Sequence, residues 1–335
     1  MKRYKKFVLE AEKSINFEVS EGTSGELIIR ALNITTFHVY STNYVNPIIP
    51  EGYKHVCGEW NNGFVIERCS DGSQFVWIPV GSLDSNGTLD GEHFSEKFGR
   101  RNFMNDKFSD HEFNEALNGE LLEQLESVKK YGGFYISRYN ISKSSAGKPQ
   151  SVKGIRPWGK INFNDAKKIA STIEDNEAVK SHLTFGAEYD SVLEWFIKTE
   201  VKTFAEIAED STEWGNHCNT ENSPKKVVET GSREKWCANN IYDLAGNVDE
   251  WTQEQHNSLN RVLRGGDVTY DGDTCPIAWL TILVTKGSTL VFVARFILSS
   301  TDHYKTILIC FQKQMEGENF EISEFLLLFY KPCQG

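Results

Sequence analysis

Apolar and polar positions alternate through much of the first 80 residues. SINFEVSEG, GELIIRAL and TTFHVYST show period-two spacing with β-branched residues, separated by Gly, Asn and Pro, and predict short strands. GFVIERCSDGSQFVWIPVG predicts a hairpin around the turn Ser70-Asp71-Gly72-Ser73. Residues 84–110 are polar and rich in Gly and Asn, and read as a loop. The period then changes. Apolar residues recur at helical spacing across 111–130, and YGGFYISRYN (131–140) returns to a strand. In NFNDAKKIASTIED, Asn162 or Asn164 stands as N-cap before Ala166, Ile169, Ala170 and Ile173. GAEYDSVLEWFIKT sets Tyr189, Val192, Leu193 and Phe196 on one helical face. Beyond residue 200 no period persists, and the Asn-, Gly-, Ser- and Trp-rich chain predicts loops and short strands. This order excludes a doubly wound sheet and a helix bundle, and predicts an α+β fold.

One stretch departs from the rest. RGGDVTYDGDTCPIAWLTILVTKGSTLVFVARF (264–296) begins polar and turn-rich, then is nearly all apolar from Trp279 to Val293, broken by Lys286-Gly287-Ser288. It is shorter than the about 20 apolar residues of a membrane helix, as is FLLLFY (325–330). Two readings stay open. WLTILVT–KGS–TLVFVARF forms a hairpin with alternate side chains in the core, or Trp279, Ile282, Leu283 and Val284 form an exposed apolar patch of the kind that marks an interaction site.

Composition narrows the function classes. The 335 residues carry 36 Lys+Arg against 47 Asp+Glu, a net charge of −11, which argues against binding nucleic acid through its phosphates. The basic N-terminus lacks the apolar core of a signal peptide, so synthesis without one is expected. None of the seven cysteines forms a CxxC pair; free thiols are expected, with Cys57–Cys69 or Cys218–Cys237 as alternative disulfides.

The densest candidate chemistry is NNIYDLAGNVDEWTQE (239–254), followed by RVLRGGDV (261–268). Gly246-Asn247 signals a tight turn, and Asn247, Asp249 and Glu250 crowd oxygens beside it. Such a set suits calcium; it suits equally a turn whose side chains bond its own backbone.

YDLAGNVDEW followed by RVLRGG resembles the signature of the formylglycine-generating-enzyme domain of the sulfatase-modifying-factor superfamily, a variant of the C-type-lectin fold. FVWIPVG (75–81), GGFYISRYNIS (132–142), INFNDAKKIA (161–170), LTFGAEYDSVLEW (183–195) and VARF (293–296, with Arg295 at the late arginine) resemble its other elements in order. The resemblance implies a C-type-lectin-like domain over 71–299, a β-rich region over 1–70 and an extension over 300–335. Two departures stand out. The usual Trp is Asp249, and the two copper-binding cysteines of the oxidases are Tyr270 and Cys275. One thiol cannot make a two-thiolate copper site, and His182, His217 and His256 form no cluster in the sequence. No catalytic residue and no cofactor are therefore expected, apart from a structural calcium at Asn247 and Glu250 by resemblance.

GGFYISRYNIS, KPQSVKGIRPW (148–158), SHLTFGAEYDSVLEWF, DSTEWGNH, WCANNIYDLAGNV and RVLRGG are together similar to the variable proteins of diversity-generating retroelements, found in phages and prophages. There an error-prone reverse transcriptase rewrites template adenines in the stretch after Arg-Gly-Gly. The resemblance implies a binding protein with a variable segment over 267–291, and a ligand face of Asp267, Thr269, Tyr270, Asp271, Asp273, Thr274, Ile277, Trp279, Thr281, Ile282, Leu283 and Val284. Its implied partner is a protein or glycan receptor on a target cell, without nucleic acid binding or membrane insertion. Its implied place is a virion tail, among tail proteins, or a cell surface, as an adhesin. A copper oxidase of peptide cysteines and an invariant structural virion domain are the alternatives.

Overall fold

The computed structural model describes residues 47, 49–59, 62–81, 98–101, 103, 119–174, 179–256, 260–284, 292–294 and 296–300. The architecture is α+β. In chain order the strands are β1 (Tyr53–Cys57), β2 (Val65–Arg68), β3 (Gln74–Pro79), β4 (Gly133–Ser137), β5 (Ser142–Lys143), β6 (Pro149–Gln150), β7 (Val179–Leu183), β8 (Cys237–Ala238), β9 (Ile241–Tyr242), β10 (Asp249–Gln255), β11 (Asn260–Arg264), β12 (Thr281–Val284), β13 (Phe292–Ala294) and β14 (Phe296–Ser300). The helices are α1 (Gly119–Tyr131), α2 (Phe163–Ala170), α3 (Gly186–Lys198) and α4 (Phe204–Ala208).

A six-stranded antiparallel sheet runs β1-β2-β3-β4-β14-β7. β3 and β4 are buried on both faces, which explains why QFVWIP reads as a nearly continuous apolar run. The period of two survives in the side chains. Val76, Ile78, Phe134 and Ile136 join one core with α3, while Phe75, Trp77 and Tyr135 join a second with α2, Trp251 and Leu263. A Cβ on Gly133 would lie 2.2 Å from the Ile78 carbonyl oxygen and 2.5 Å from the Trp77 ring, so only glycine lets β4 cross that indole. β1 and β2, from the end of the expected N-terminal region, pair in the same sheet as β3 and β4.

The expected hairpin forms between β2 and β3, with Val65 opposite Val76. Asn162, not Asn164, caps α2: its Oδ1 accepts from the Asp165 amide at 2.9 Å. The helix expected over 111–130 is α1; residues 111–118 lie outside the described residues. So do the proposed strands of 14–46, most of the 84–110 loop, Arg295 and the extension beyond 300.

A four-stranded sheet runs β12-β11-β10-β13. It corrects the hairpin reading of 279–296. β12 pairs antiparallel with β11, β13 pairs parallel with β10, and the two apolar strands lie on opposite edges, separated by β10 and β11. Neither suggested disulfide forms: Cys57, Cys218, Cys237 and Cys275 are free thiols, and Cys69 is disulfide-bonded. Among the described residues no helix is long and apolar enough to cross a membrane.

Candidate functional site

The loop between β11 and β12 begins where two distant motifs lock together. The Gly246 amide donates to the Gly265 carbonyl at 2.8 Å, and the Asn247 amide donates to the Asn216 carbonyl at 2.9 Å. Gly246 (φ 68°) packs so closely that a Cβ would sit 2.7 Å from the Asn216 amide nitrogen. YDLAGN, TEWGN and RGG are thus parts of one joint, which is why they stand together in the sequence pattern.

Asn247 is consumed by that joint. Its Oδ1 accepts from Asn216 Nδ2 and from the Val228 amide, each at 3.0 Å, and its Nδ2 donates to the Val228 carbonyl at 3.3 Å. Asn140 Nδ2 donates to Glu250 Oε1 at 2.6 Å. Among the described residues no group of three or more His, Cys, Asp and Glu side chains gathers as a metal-ligand set. The Asn247 side chain bonds to other segments rather than to its own turn, and its amide oxygen already holds the two donors it can accept.

Directly below the loop lies a buried ionic network. Arg264, 2% exposed, donates from Nε to Glu254 Oε1 at 2.7 Å and from Nη2 to Asp190 Oδ1 at 2.9 Å. Arg100 reaches the same two carboxylates, at 3.0 Å to Asp190 and 2.8 Å to Glu254. The remaining donor, Arg264 Nη1, reaches the Ala278 carbonyl at 3.2 Å and so closes the loop at its base.

Above this base the loop is held through its main chain. The Ser211 amide donates to the Gly272 carbonyl at 3.0 Å and the Cys218 amide to the Tyr270 carbonyl at 3.0 Å. The Gly272 amide donates to Asn219 Oδ1 at 2.9 Å, and the Ala278 amide to the Ile207 carbonyl at 3.2 Å. A Cβ on Gly272 would lie 2.5 Å from the Thr212 amide nitrogen, so this position is bound to glycine. Thr269, Tyr270, Asp273 and Thr274 are exposed, with Tyr270 at 45%; Asp267 and Asp271 are half-buried. Two side chains also brace the loop. Asp267 Oδ1 accepts from the Thr269 amide at 2.7 Å, and the Cys218 thiol donates to Asp271 Oδ1 at 2.7 Å, which raises the thiol above its usual pKa.

Ile277 does not belong to this face. It is wholly buried in the main core, as is Ala278, while Cys275 and Leu280 are nearly so. Trp279 is half-buried and packs on that core. Thr281, Ile282, Leu283 and Val284 form β12, opposite Leu263, Val262, Arg261 and Asn260. Of the residues expected on this face, Thr269, Tyr270, Asp273 and Thr274 are exposed, and Asp267, Asp271, Trp279 and Thr281 are half-buried. Sequence reasoning gave no role to Ser211 and Asn219 in supporting the loop and offered Cys218 only as a disulfide candidate; the one signal was that DSTEWGNH, which ends just before Cys218, belonged to the recurring phrases.

Two buried titratable groups flank the loop. Burial, then the charges of Asp267 and Glu250, pushes the Asp249 carboxyl up to about 8. Burial likewise holds His217 down at about 4, against the charges of Asp210, Asp267, Asp271 and Asp273. His217 bonds to the Ser211 hydroxyl at 3.0 Å, and His182 bonds to Glu188 at 2.9 Å.

No family model and no curated protein matches the chain. Among solved structures it is similar to that of PvdO from Pseudomonas aeruginosa, at 13% identity and a TM-score of 0.42, covering 72% of this chain and 100% of that one. It is also similar to Treponema denticola variable protein 1, at 13% identity and a TM-score of 0.39, covering 73% of this chain and 98% of that one.

Proposed function

We propose that the chain is a ligand-binding protein whose 267–274 loop displays side chains diversified by a retroelement, and that it acts as a receptor-binding adhesin at a virion tail or cell surface. The observation that carries this is the division of labour in the loop. Its fold is held mainly by main-chain amides and carbonyls, by Gly272, by the base at Arg264 and by the half-buried Asp267 and Asp271, while Thr269, Tyr270, Asp273 and Thr274 are exposed. Thr269 and Asp273 each make one side-chain bond at the tip, to Asp267 and Asn219, but a loop shaped mainly by its main chain tolerates change at exposed positions, as in other binding loops on rigid scaffolds. The motif resemblance agrees with this division. The oxidase reading is disfavoured because Tyr270 stands where a second thiol would be needed and the Cys275 thiol is buried.

The test is to sequence the gene's surroundings in many cells of its host population. The expected result is a nearby near-copy of the codons for 264–296 that differs at adenines, a reverse-transcriptase gene, and variation concentrated at 267–274. An invariant loop with no such copy overturns the proposal and returns weight to a fixed structural domain. Adhesion is read separately: a soluble form of the chain should bind intact target cells, and replacement of Thr269, Tyr270, Asp273 and Thr274 together should abolish that binding.

A further inference from the structure

A cavity of about 380 Å³ opens beside α2, lined by Trp158, Lys160, Asp165, Lys168, Ile169 and Thr172, none of which belongs to the 267–274 loop. That volume suits a small ligand. The charge there opposes that of the chain as a whole. Lys160 and Lys168 face a single carboxylate, Asp165, and Lys143 holds its ammonium 4.9 Å from the centroid of the Trp158 ring. Among the described residues none of these three lysines forms an ion pair, in a protein of net charge −11.

Lys160 also adopts a left-handed backbone, φ 62°, where glycine would fit without strain. Strain of this kind at a cavity wall points to a side chain wanted for its chemistry. The remaining wall is of mixed character. The Trp158 ring offers a negative π face that suits the slightly positive C–H face of a pyranose. The Thr172 hydroxyl donates to the Ile169 carbonyl at 2.7 Å, which leaves its oxygen as an acceptor. Asp165 Oδ2 already accepts from Asn162 Nδ2 at 2.6 Å, so Oδ1 is the second acceptor for sugar hydroxyls, and the carboxylate's charge disfavours a phosphate dianion more than a monocarboxylate.

We propose that this cavity binds a sugar unit bearing a carboxylate: the ring packs on Trp158, the carboxylate meets Lys160 and Lys168, and the hydroxyls meet Asp165 and Thr172. The test is ligand-observed NMR on the full chain, with methyl β-D-glucuronide as probe and methyl β-D-glucoside and inorganic phosphate as comparisons. The glucuronide should bind and the neutral glucoside should bind at least about five-fold more weakly, as should the glucuronide to Lys160→Gly and Lys168→Gln. Both lysines are exposed and Lys160→Gly relieves the strained backbone, so folding is retained, as unchanged thermal unfolding would verify. Tyr270→Ala should leave binding intact. No glucuronide binding, equal binding of the glucoside, displacement by equimolar phosphate, wild-type binding by both lysine variants, or loss of binding in Tyr270→Ala would each overturn the proposal.

Discussion

Arg264 Nη1 donates to the carbonyl oxygen of Ala278 at 3.2 Å, joining the two ends of the loop that carries the candidate binding face. The same guanidinium is bound by two buried carboxylates, Glu254 on β10 and Asp190 on α3. The base of the loop is thus tied to a strand and a helix at once, whatever residues stand at its tip.

Removing that tie should be severe. Among the described residues, Arg264→Ala leaves the buried Asp190 and Glu254 with Arg100 as their counter-charge, and should cost about 3–5 kcal/mol in urea unfolding. Arg264→Lys cannot reach all three acceptors and falls between the two. Wild-type stability in Arg264→Ala would show that the network is not needed.

Tip and base should respond oppositely to substitution. Alanine at Thr269, Tyr270, Asp273 or Thr274 should change stability by no more than about 0.5 kcal/mol, because these side chains are exposed. Ile277→Ala should cost about 2–5 kcal/mol by opening a hole in the main core. Gly272→Ala should destabilise through its clash with Thr212. Thermal or urea unfolding of the set checks this; equal costs at Tyr270 and Ile277 would refute the division.

Stability should fall as pH rises from about 6.5 to 8. Asp249 keeps its proton in the folded chain up to about 8 but loses it near 3.8 when unfolded, so its contribution is full below 3.8 and drains away as pH rises through 8. His217 stays neutral when folded down to about 4 but is protonated below 6.5 when unfolded, so its contribution is full above 6.5 and is lost as pH falls towards 4. The two slopes oppose each other from pH 4 to 6.5. Above 6.5 only Asp249 acts, and the decline is at most about 1.4 kcal/mol per pH unit. Urea unfolding at pH 6.5, 7.5 and 8.5 should show this decline, and Asp249→Asn should flatten it.

Asn247 should behave as a joint rather than as a metal ligand. Asn247→Ala loses the bonds to Asn216 and Val228 and places alanine at φ 66°, at a cost of about 1–3 kcal/mol. A chelator should leave the melting temperature unchanged, and metal analysis of the purified protein should find no stoichiometric calcium. A chelator-induced drop would reinstate the calcium reading.

Much of this molecule follows from local spacing. The β2–β3 hairpin, the helices α2 and α3, the cap at Asn162 and the α+β class are written in periods of 2 and 3.6, because local backbone geometry sets which side chains share a face. Spacing is silent on partners. Residues 279–296 read as a hairpin because β12 and β13 are near in sequence, yet each pairs with a strand of the 249–264 hairpin and they end on opposite edges. The same holds at the site. The resemblance implied a ligand face running through 267–284, but the short run Cys275–Ala278 turns inward as the chain passes Arg264, and the packing of distant segments separates the exposed Tyr270 from the buried Ile277. Burial of a loop residue is decided by what lies across from it, and in this chain that is α3, α4 and the 211–219 segment, long-range contacts that no local period encodes.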